Sequence, residues 1–256
     1  MYKITIGNMP RPDYFVQSEI DRLRVNVGFV GADKKVIMVT SSEPNEGKSF
    51  ISTNLWMELA KAGKSVCFVD ADMRKSVLRT ELNLSTDRET FAGLSHYLAG
   101  YLEVQDIIYS TEQAGAYMIP TATLVNPSLL LESERFNVLL ETLRRSFDYV
   151  IVDTPPLGIV SDGQFIAGKC DGCILIVRAH KTSRSAVKNS LQQLKTVDCP
   201  LLGIVLNRVE SGKSKGYYSK GYYSKGYYSK AYYSNANPHQ QPASGGKKNA
   251  SGSAGE

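Results

Sequence analysis

The chain has 256 residues, 42% of them hydrophobic, which is room for one α/β domain with a buried core plus a separate segment and too little for two large domains. Its formal charge of +5 sits at one end: residues 211–256 hold seven lysines and one acid, a net of +6, leaving 23 basic and 24 acidic residues before them. No apolar run approaches the ~18–20 residues that span a bilayer, and MYKITIGNMPRPDY lacks the apolar centre of a signal peptide, so a cytoplasmic protein is expected.

Residues 14–27 (YFVQSEIDRLRVNV) carry apolar side chains at 16, 20, 23 and 27, a helical spacing with one sticky face that can pack on the domain or on a neighbour. Residues 1–34 therefore form an N-terminal segment, a candidate for oligomerisation, ahead of a domain over 35–210. Within that domain short apolar runs alternate with longer amphipathic stretches. Strands are expected at VIMVT (36–40), VCFVD (66–70), AYMIP (116–120), YVIVD (149–153), CILIVR (173–178) and LLGIVLN (201–207). Helices are expected over 48–62, ending at Gly63; over 128–146, after Pro127; and over 182–197, before Pro200. Uninterrupted apolar strands favour burial on both faces, hence an α/β fold: a doubly wound, mostly parallel sheet flanked by helices. The four cysteines include Cys170 and Cys173 in CDGC, but no second CxxC or histidine pair accompanies them, and they read as ordinary reduced thiols.

The strand VIMVT runs into SSEPNEGKSF and then a helix, the context a phosphate-binding loop requires. Gly47-Lys48-Ser49 ends a G-x-x-x-x-G-K-[ST] pattern whose first position is Ser42 rather than glycine. The candidate nucleotide cradle is Pro44, Asn45, Glu46, Gly47, Lys48, Ser49 and Phe50: backbone N–H groups at a helix N-terminus hold phosphate oxygens, Lys48 reaches the β- and γ-phosphates, and Ser49 ligates Mg²⁺. VCFVDADMR places Asp70, Asp72 and Arg74 at the end of a second strand, and YVIVDTPP places Asp153 at the end of a third. Carboxylates at strand ends gather at the rim where open parallel sheets bind ligands. Together with Gly47-Lys48-Ser49 they point to a P-loop nucleoside triphosphatase using ATP and Mg²⁺.

SEPNEGKS, VCFVDADMR and YVIVDTPP resemble the Walker A, A′ and B motifs of the bacterial tyrosine kinases of capsule and exopolysaccharide systems. The D-x-D-x-R stretch is the specific part, and the likeness extends over about residues 14–234. Partitioning and division-site ATPases resemble the chain in the P-loop and DTPP but carry a signature lysine where Glu43 stands here. A eukaryotic-type kinase is excluded by the lack of H-R-D, D-F-G and a G-x-G-x-x-G strand loop. The resemblance implies that Lys48 and Ser49 bind phosphates and Mg²⁺, that Asp72 and Asp153 position the metal, and that Asp70 orients or deprotonates a tyrosine hydroxyl. It gives Arg74 a role at the developing charge or the rim, and Asn207 an adenine contact beside a purely local turn role. It also implies a ring assembled through an E-x-x-R-x-x-R helix motif. In SEIDRLRVN, Glu19, Arg22 and Arg24 are the candidates, but aligning Arg24 with the last arginine leaves Asp21 and Ser18 at the other two places. A transmembrane activator of the polysaccharide chain-length family and a protein-tyrosine phosphatase are the implied partners, with the chain a separate cytoplasmic kinase held peripherally at the membrane, as in Gram-positive bacteria.

After Asn207 the apolar periodicity stops. Residues 211–256 are expected to be disordered, and 215–234 read Lys-Gly-Tyr-Tyr-Ser three times and then Lys-Ala-Tyr-Tyr-Ser. Eight of the fifteen tyrosines, Tyr217, Tyr218, Tyr222, Tyr223, Tyr227, Tyr228, Tyr232 and Tyr233, stand there as candidate phosphoacceptors, matching the family's C-terminal cluster. Basic residues interleaved with aromatics also suit single-stranded nucleic acid or an anionic membrane, with the domain acting as a partitioning-type ATPase. Neither alternative accounts for D-x-D-x-R, and no nucleic-acid partner is expected.

Overall fold

In the computed structural model, residues 1–124 and 127–209 are described; the tyrosine ladder, and with it the expected disorder of 211–256, lies outside the described residues. The strands are β1 (Tyr2–Ile6), β2 (Val36–Ser41), β3 (Val66–Asp70), β4 (Leu84–Thr86), β5 (Tyr109–Ser110), β6 (Ala116–Ile119), β7 (Tyr149–Asp153), β8 (Gly172–Arg178) and β9 (Leu201–Asn207). The helices are α1 (Tyr14–Gly28), α2 (Lys48–Lys61), α3 (Leu78–Glu81), α4 (Leu94–Leu98), α5 (Val104–Ile107), α6 (Ser128–Glu132), α7 (Glu134–Ser146), α8 (Asp162–Ala167) and α9 (Arg184–Thr196).

Among the described residues the strands form one sheet in the order β4-β1-β5-β6-β3-β7-β2-β8-β9. Pairing is parallel except at β1–β4 and β5–β6. The inner strands β2, β3 and β8 are apolar on both faces because helices cover both, which is why the sequence shows runs there and no alternation. One face packs Ile37, Val39, Phe68 and Ile151 against α2, where Trp56 is fully buried beside Phe68 with ring centroids 5.2 Å apart. The opposite face packs Val36, Val69 and Val150 against Phe136, Leu139 and Leu143 of α7, and Met38 and Leu175 against Leu194 of α9.

The sticky face of the first helix turns inward: Ile20 and Val27 are buried as α1 packs along α2, after Asp13 caps it by accepting from the Val16 amide at 2.9 Å. The N-terminal 34 residues are not separate from the sheet. β1 is an inner strand, with Ile4 buried between its neighbours β4 and β5. The helix expected over 128–146 is broken into α6 and α7 at Ser133, whose ψ of 154° is extended and whose hydroxyl donates to the Leu130 carbonyl at 2.6 Å. No described helix is long and apolar enough to cross a membrane.

Candidate active site

β3, β7 and β2 lie side by side, so the loops leaving their carboxyl ends meet at one rim. The register pairs Asp70 directly with Asp153, setting two carboxyl groups on adjacent strand ends, and the Ala71 amide donates to the Asp153 carbonyl at 2.8 Å. From β2 the chain enters the phosphate loop. Asn45 (φ 62°) and Gly47 (φ 94°) both take left-handed backbone, and Gly47 begins α2. A Cβ on Gly47 would lie 2.1 Å from Asn207 Nδ2, so only glycine fits that close approach.

The loop is braced from within. Glu46 is buried; its Oε2 accepts from the amides of Ser42 (2.8 Å) and Glu43 (3.0 Å), and its Oε1 accepts from the Thr182 hydroxyl. Asn207 Nδ2 donates to the Glu46 carbonyl at 2.8 Å. The side chains of Glu46 and Asn207, both candidate nucleotide contacts, also hold the shape of the loop through these bonds. The loop is also joined to the segment after β7, with Thr40 Oγ1 donating to the Pro155 carbonyl (3.0 Å), the Leu157 amide to Ser41 (2.9 Å) and the Gly158 amide to Ser42 (3.1 Å).

Lys48, Ser49, Asp72 and Asp153 converge. Lys48 Nζ lies 3.3 Å from Asp72 Oδ2, and Asp153 accepts from Ser49 Oγ (2.8 Å) and Ser52 Oγ (3.0 Å). Burial works against the charge on Lys48, but Asp153, Asp72 and Asp70 outweigh it and hold its pKa above the ordinary value. Burial raises Asp153, opposed by Lys48 and by the hydroxyls of Ser49 and Ser52. Asp70 is pushed up to about 8, chiefly by burial and further by the charges of Asp153 and Asp72, while Ser76 opposes. Its carboxylate accepts from the Ser76 hydroxyl and the Asp72 amide, and it is not among the cavity-lining residues, which include the carboxylates Asp72 and Glu81.

The cavity, of about 460 Å³, is lined by Pro44, Asn45, Gly47, Lys48, Ser49 and Phe50 on one side. Arg74 also lines it, its guanidinium gripped by buried Asp162 (Nε–Oδ2 2.5 Å, Nη2–Oδ1 3.0 Å) and by Ser128 Oγ at 2.9 Å. The sequence showed no sign of Asp162, which holds Arg74, nor of Arg208, Val77, Glu81 and Ile159, which line the wall with Lys75, Pro155, Pro156 and Val160. Glu19, Arg22 and Arg24 lie apart, on α1, where Glu19 and Arg22 form an exposed pair at 3.0 Å. Among the described residues no group of three or more His, Cys, Asp or Glu side chains could hold a metal alone. Ser49, Asp72 and Asp153 are hard oxygen donors of the kind Mg²⁺ takes from a protein, the rest of its shell coming from substrate phosphates and water.

Residues 34–201 match the AAA domain family. Tyrosine-protein kinase CpsD of Streptococcus agalactiae is 37% identical over 198 residues, covering 77% of this chain and 85% of that protein. The chimerical protein CapA2B2 superposes with a TM-score of 0.72 at 31% identity, covering 78% of this chain and 88% of that one. The septum site-determining protein MinD of Pyrococcus horikoshii, complexed with Mg-ADP, has a TM-score of 0.59 at 22% identity over 71% of this chain and 72% of that one, a likeness of fold alone. With a P-loop sheet, the D-x-D-x-R strand end at its rim and these relatives, the chain belongs to the bacterial tyrosine kinases and is a protein-tyrosine kinase.

Proposed function

We propose that the enzyme uses ATP and Mg²⁺ to phosphorylate the tyrosine cluster Tyr217 to Tyr233 of a second copy of itself, and thereby regulates the synthesis and export of a capsular polysaccharide or exopolysaccharide. The observation that carries this reading is the convergence of Lys48, Ser49, Asp72 and Asp153 at the N-terminus of α2, beside a cavity of about 460 Å³. Backbone N–H groups of the loop and the first turn of α2 bind the phosphates. Lys48, held protonated by three carboxylates, meets the β- and γ-phosphates. Asp153 fixes the Ser49 hydroxyl, and Ser49, Asp72 and Asp153 are the residues that would hold Mg²⁺, whose charge offsets that of the phosphates. An acceptor phenol, with an ordinary pKa near ~10, needs a carboxylate to take its proton. Asp72 is on the wall beside the phosphates, and Asp70, buried behind it with a raised proton affinity, is the candidate to orient the hydroxyl or, in its ionised form, take its proton.

Exposed Glu19 and Arg22 on α1, with Arg24 nearby, support a homo-oligomeric ring that brings one copy's tail to another's cavity. Membrane association follows from a transmembrane activator of the chain-length family, and a protein-tyrosine phosphatase resets the tail. Each phosphotyrosine adds roughly −1.5 to −2 charges, so four more than cancel the tail's +6 and loosen the ring. The test is mass spectrometry of the full-length protein after incubation with ATP and Mg²⁺, with and without the activator's cytoplasmic tail, beside Lys48→Met. Phosphate on the tail that vanishes in Lys48→Met is expected. ATP hydrolysis with an unmodified tail in both conditions would move the chain to the partitioning-type ATPases.

A further inference from the structure

α3 presents two neighbouring side chains to the cavity. The Glu81 amide donates to the Val77 carbonyl at 2.8 Å, so Val77 and Glu81 stand one turn apart on one face, roughly 6 Å along the helix. The end of α3 is fixed to the N-terminal segment, where Asn8 Nδ2 donates to the Glu81 carbonyl at 2.9 Å. Ile159, in the segment after β7, also lines the cavity and is 62% exposed, against 40% for Val77. An apolar pair this open beside a phosphoryl-transfer site suits the two faces of a phenol ring. The cavity's cations, Lys48, Arg74, Lys75 and Arg208, suit a polyphosphate; of its two acids Asp72 is tied to Lys48, whereas the Glu81 carboxylate makes no ion pair or hydrogen bond with any described residue.

We infer that Val77, Ile159 and Glu81 form the acceptor subsite, the first two flanking the tyrosine ring and Glu81 selecting a lysine two residues away from it in the tail of a second copy. The inference rests on the tail's being the substrate. In an extended strand, residues two apart share a face and lie roughly 6.6 Å from each other, which matches the Val77-to-Glu81 rise. The pentad provides this for both tyrosines of every repeat but the last. Lys215, Lys220, Lys225 and Lys230 stand two residues before Tyr217, Tyr222, Tyr227 and Tyr232, and Lys220, Lys225 and Lys230 stand two after Tyr218, Tyr223 and Tyr228. Tyr233 has Ala231 and Asn235 at those places, so Tyr233 has no partner for Glu81 in either chain direction. A fixed peptide direction lets Glu81 read one side only, so one tyrosine of each pair is preferred.

Site-resolved phosphotyrosine mass spectrometry of the full-length protein, isolated from its own cells, tests this in wild type, Glu81→Gln, Glu81→Lys and Lys48→Met. Exposed ion pairs are worth little, so Glu81→Gln is expected to lower occupancy at one tyrosine of each lysine-flanked pair by about two- to five-fold and to leave Tyr233 unchanged. Of Ala231→Lys and Asn235→Lys, one raises Tyr233 to the level of the preferred tyrosines. Replacing the four ladder lysines by glutamate suppresses the preferred sites in wild type, and Glu81→Lys rescues them. Uniform loss across all eight tyrosines in Glu81→Gln, no change at any, or a Tyr233 already as occupied as the rest would each overturn the inference. Tail phosphorylation that persists in Lys48→Met would instead overturn the kinase reading beneath it.

Discussion

Replacing Gly47 by alanine tests how tightly the phosphate loop is built. At φ 94° an L-residue costs about 1–2 kcal/mol, and the new Cβ would sit 2.1 Å from Asn207 Nδ2, so that amide must withdraw from the Glu46 carbonyl at a further net ~1 kcal/mol. The total is about 2–3 kcal/mol. For a domain of this size that lowers Tm by roughly 4–12 °C if the native loop is kept, because about 2–4 °C are lost per kcal/mol. If the loop relaxes instead, the strain appears as a rearranged cradle, and at 1.4 kcal/mol per decade nucleotide affinity falls by about 30- to 150-fold. Thermal unfolding and titration of a fluorescent ATP analogue, in Gly47→Ala, Asn207→Ala and the double variant, separate the two. Asn207→Ala removes the contact but not the backbone cost, so the double variant should recover about 1 kcal/mol relative to additivity. Unchanged Tm together with nucleotide affinity within two-fold of wild type in Gly47→Ala would refute the reasoning.

Asp162→Asn removes one partner of the grip on Arg74, whose side chain is 29% exposed, so the cost is moderated by solvent to about 1–3 kcal/mol in urea unfolding near neutral pH. Burial works to raise the Asp162 pKa, but Arg74 and Ser128 prevail and hold it below the ordinary carboxylate value; its contribution is therefore complete above the unfolded pKa of about 3.9 and disappears as pH falls through the lower folded value, so the gap between variant and wild type should close in acid. Asp153→Asn should raise the Mg²⁺ concentration needed for half-maximal phosphorylation by about ten-fold or more, with a circular dichroism spectrum like that of wild type. Trp56→Ala opens the core beneath β3 and frees the Val66 carbonyl, costing about 3–5 kcal/mol, readable as an early urea midpoint with nucleotide contacts intact.

The inner strands were legible because burial on both faces leaves uninterrupted apolar runs: of the six expected strands β3, β7 and β9 match at both ends and the other three to within a residue. β1 was hidden because Tyr2 and Ile4 alternate with polar residues over a stretch too short to separate from a loop, and only pairing with β4 and β5 makes it a strand. The break at Ser133 carries neither proline nor glycine to announce it; a serine hydroxyl turning back on Leu130 does the same job. At the site, Lys48, Ser49, Asp72 and Asp153 were readable because each ends or follows a strand at fixed spacing. Asp162, Val77, Glu81 and Ile159 were not, since short helices and loops bring them in from places where the local sequence says nothing about the cavity. Glu46 and Asn207 add what a motif does not announce: their side chains brace the shape of the loop.

The three hydrogen bonds that join Thr40, Ser41 and Ser42 to Pro155, Leu157 and Gly158 make the phosphate loop and the segment bearing Ile159 a single mechanical unit. A nucleotide that shifts one must shift the other. By thermodynamic linkage, any acceptor that grips the shifted segment more firmly raises nucleotide affinity by the same factor that nucleotide raises acceptor affinity. If the tail is the acceptor, as proposed, the tail and ATP are cooperative ligands of one another, and ADP, which leaves the γ-phosphate position empty, is the state from which a phosphorylated tail would be set free.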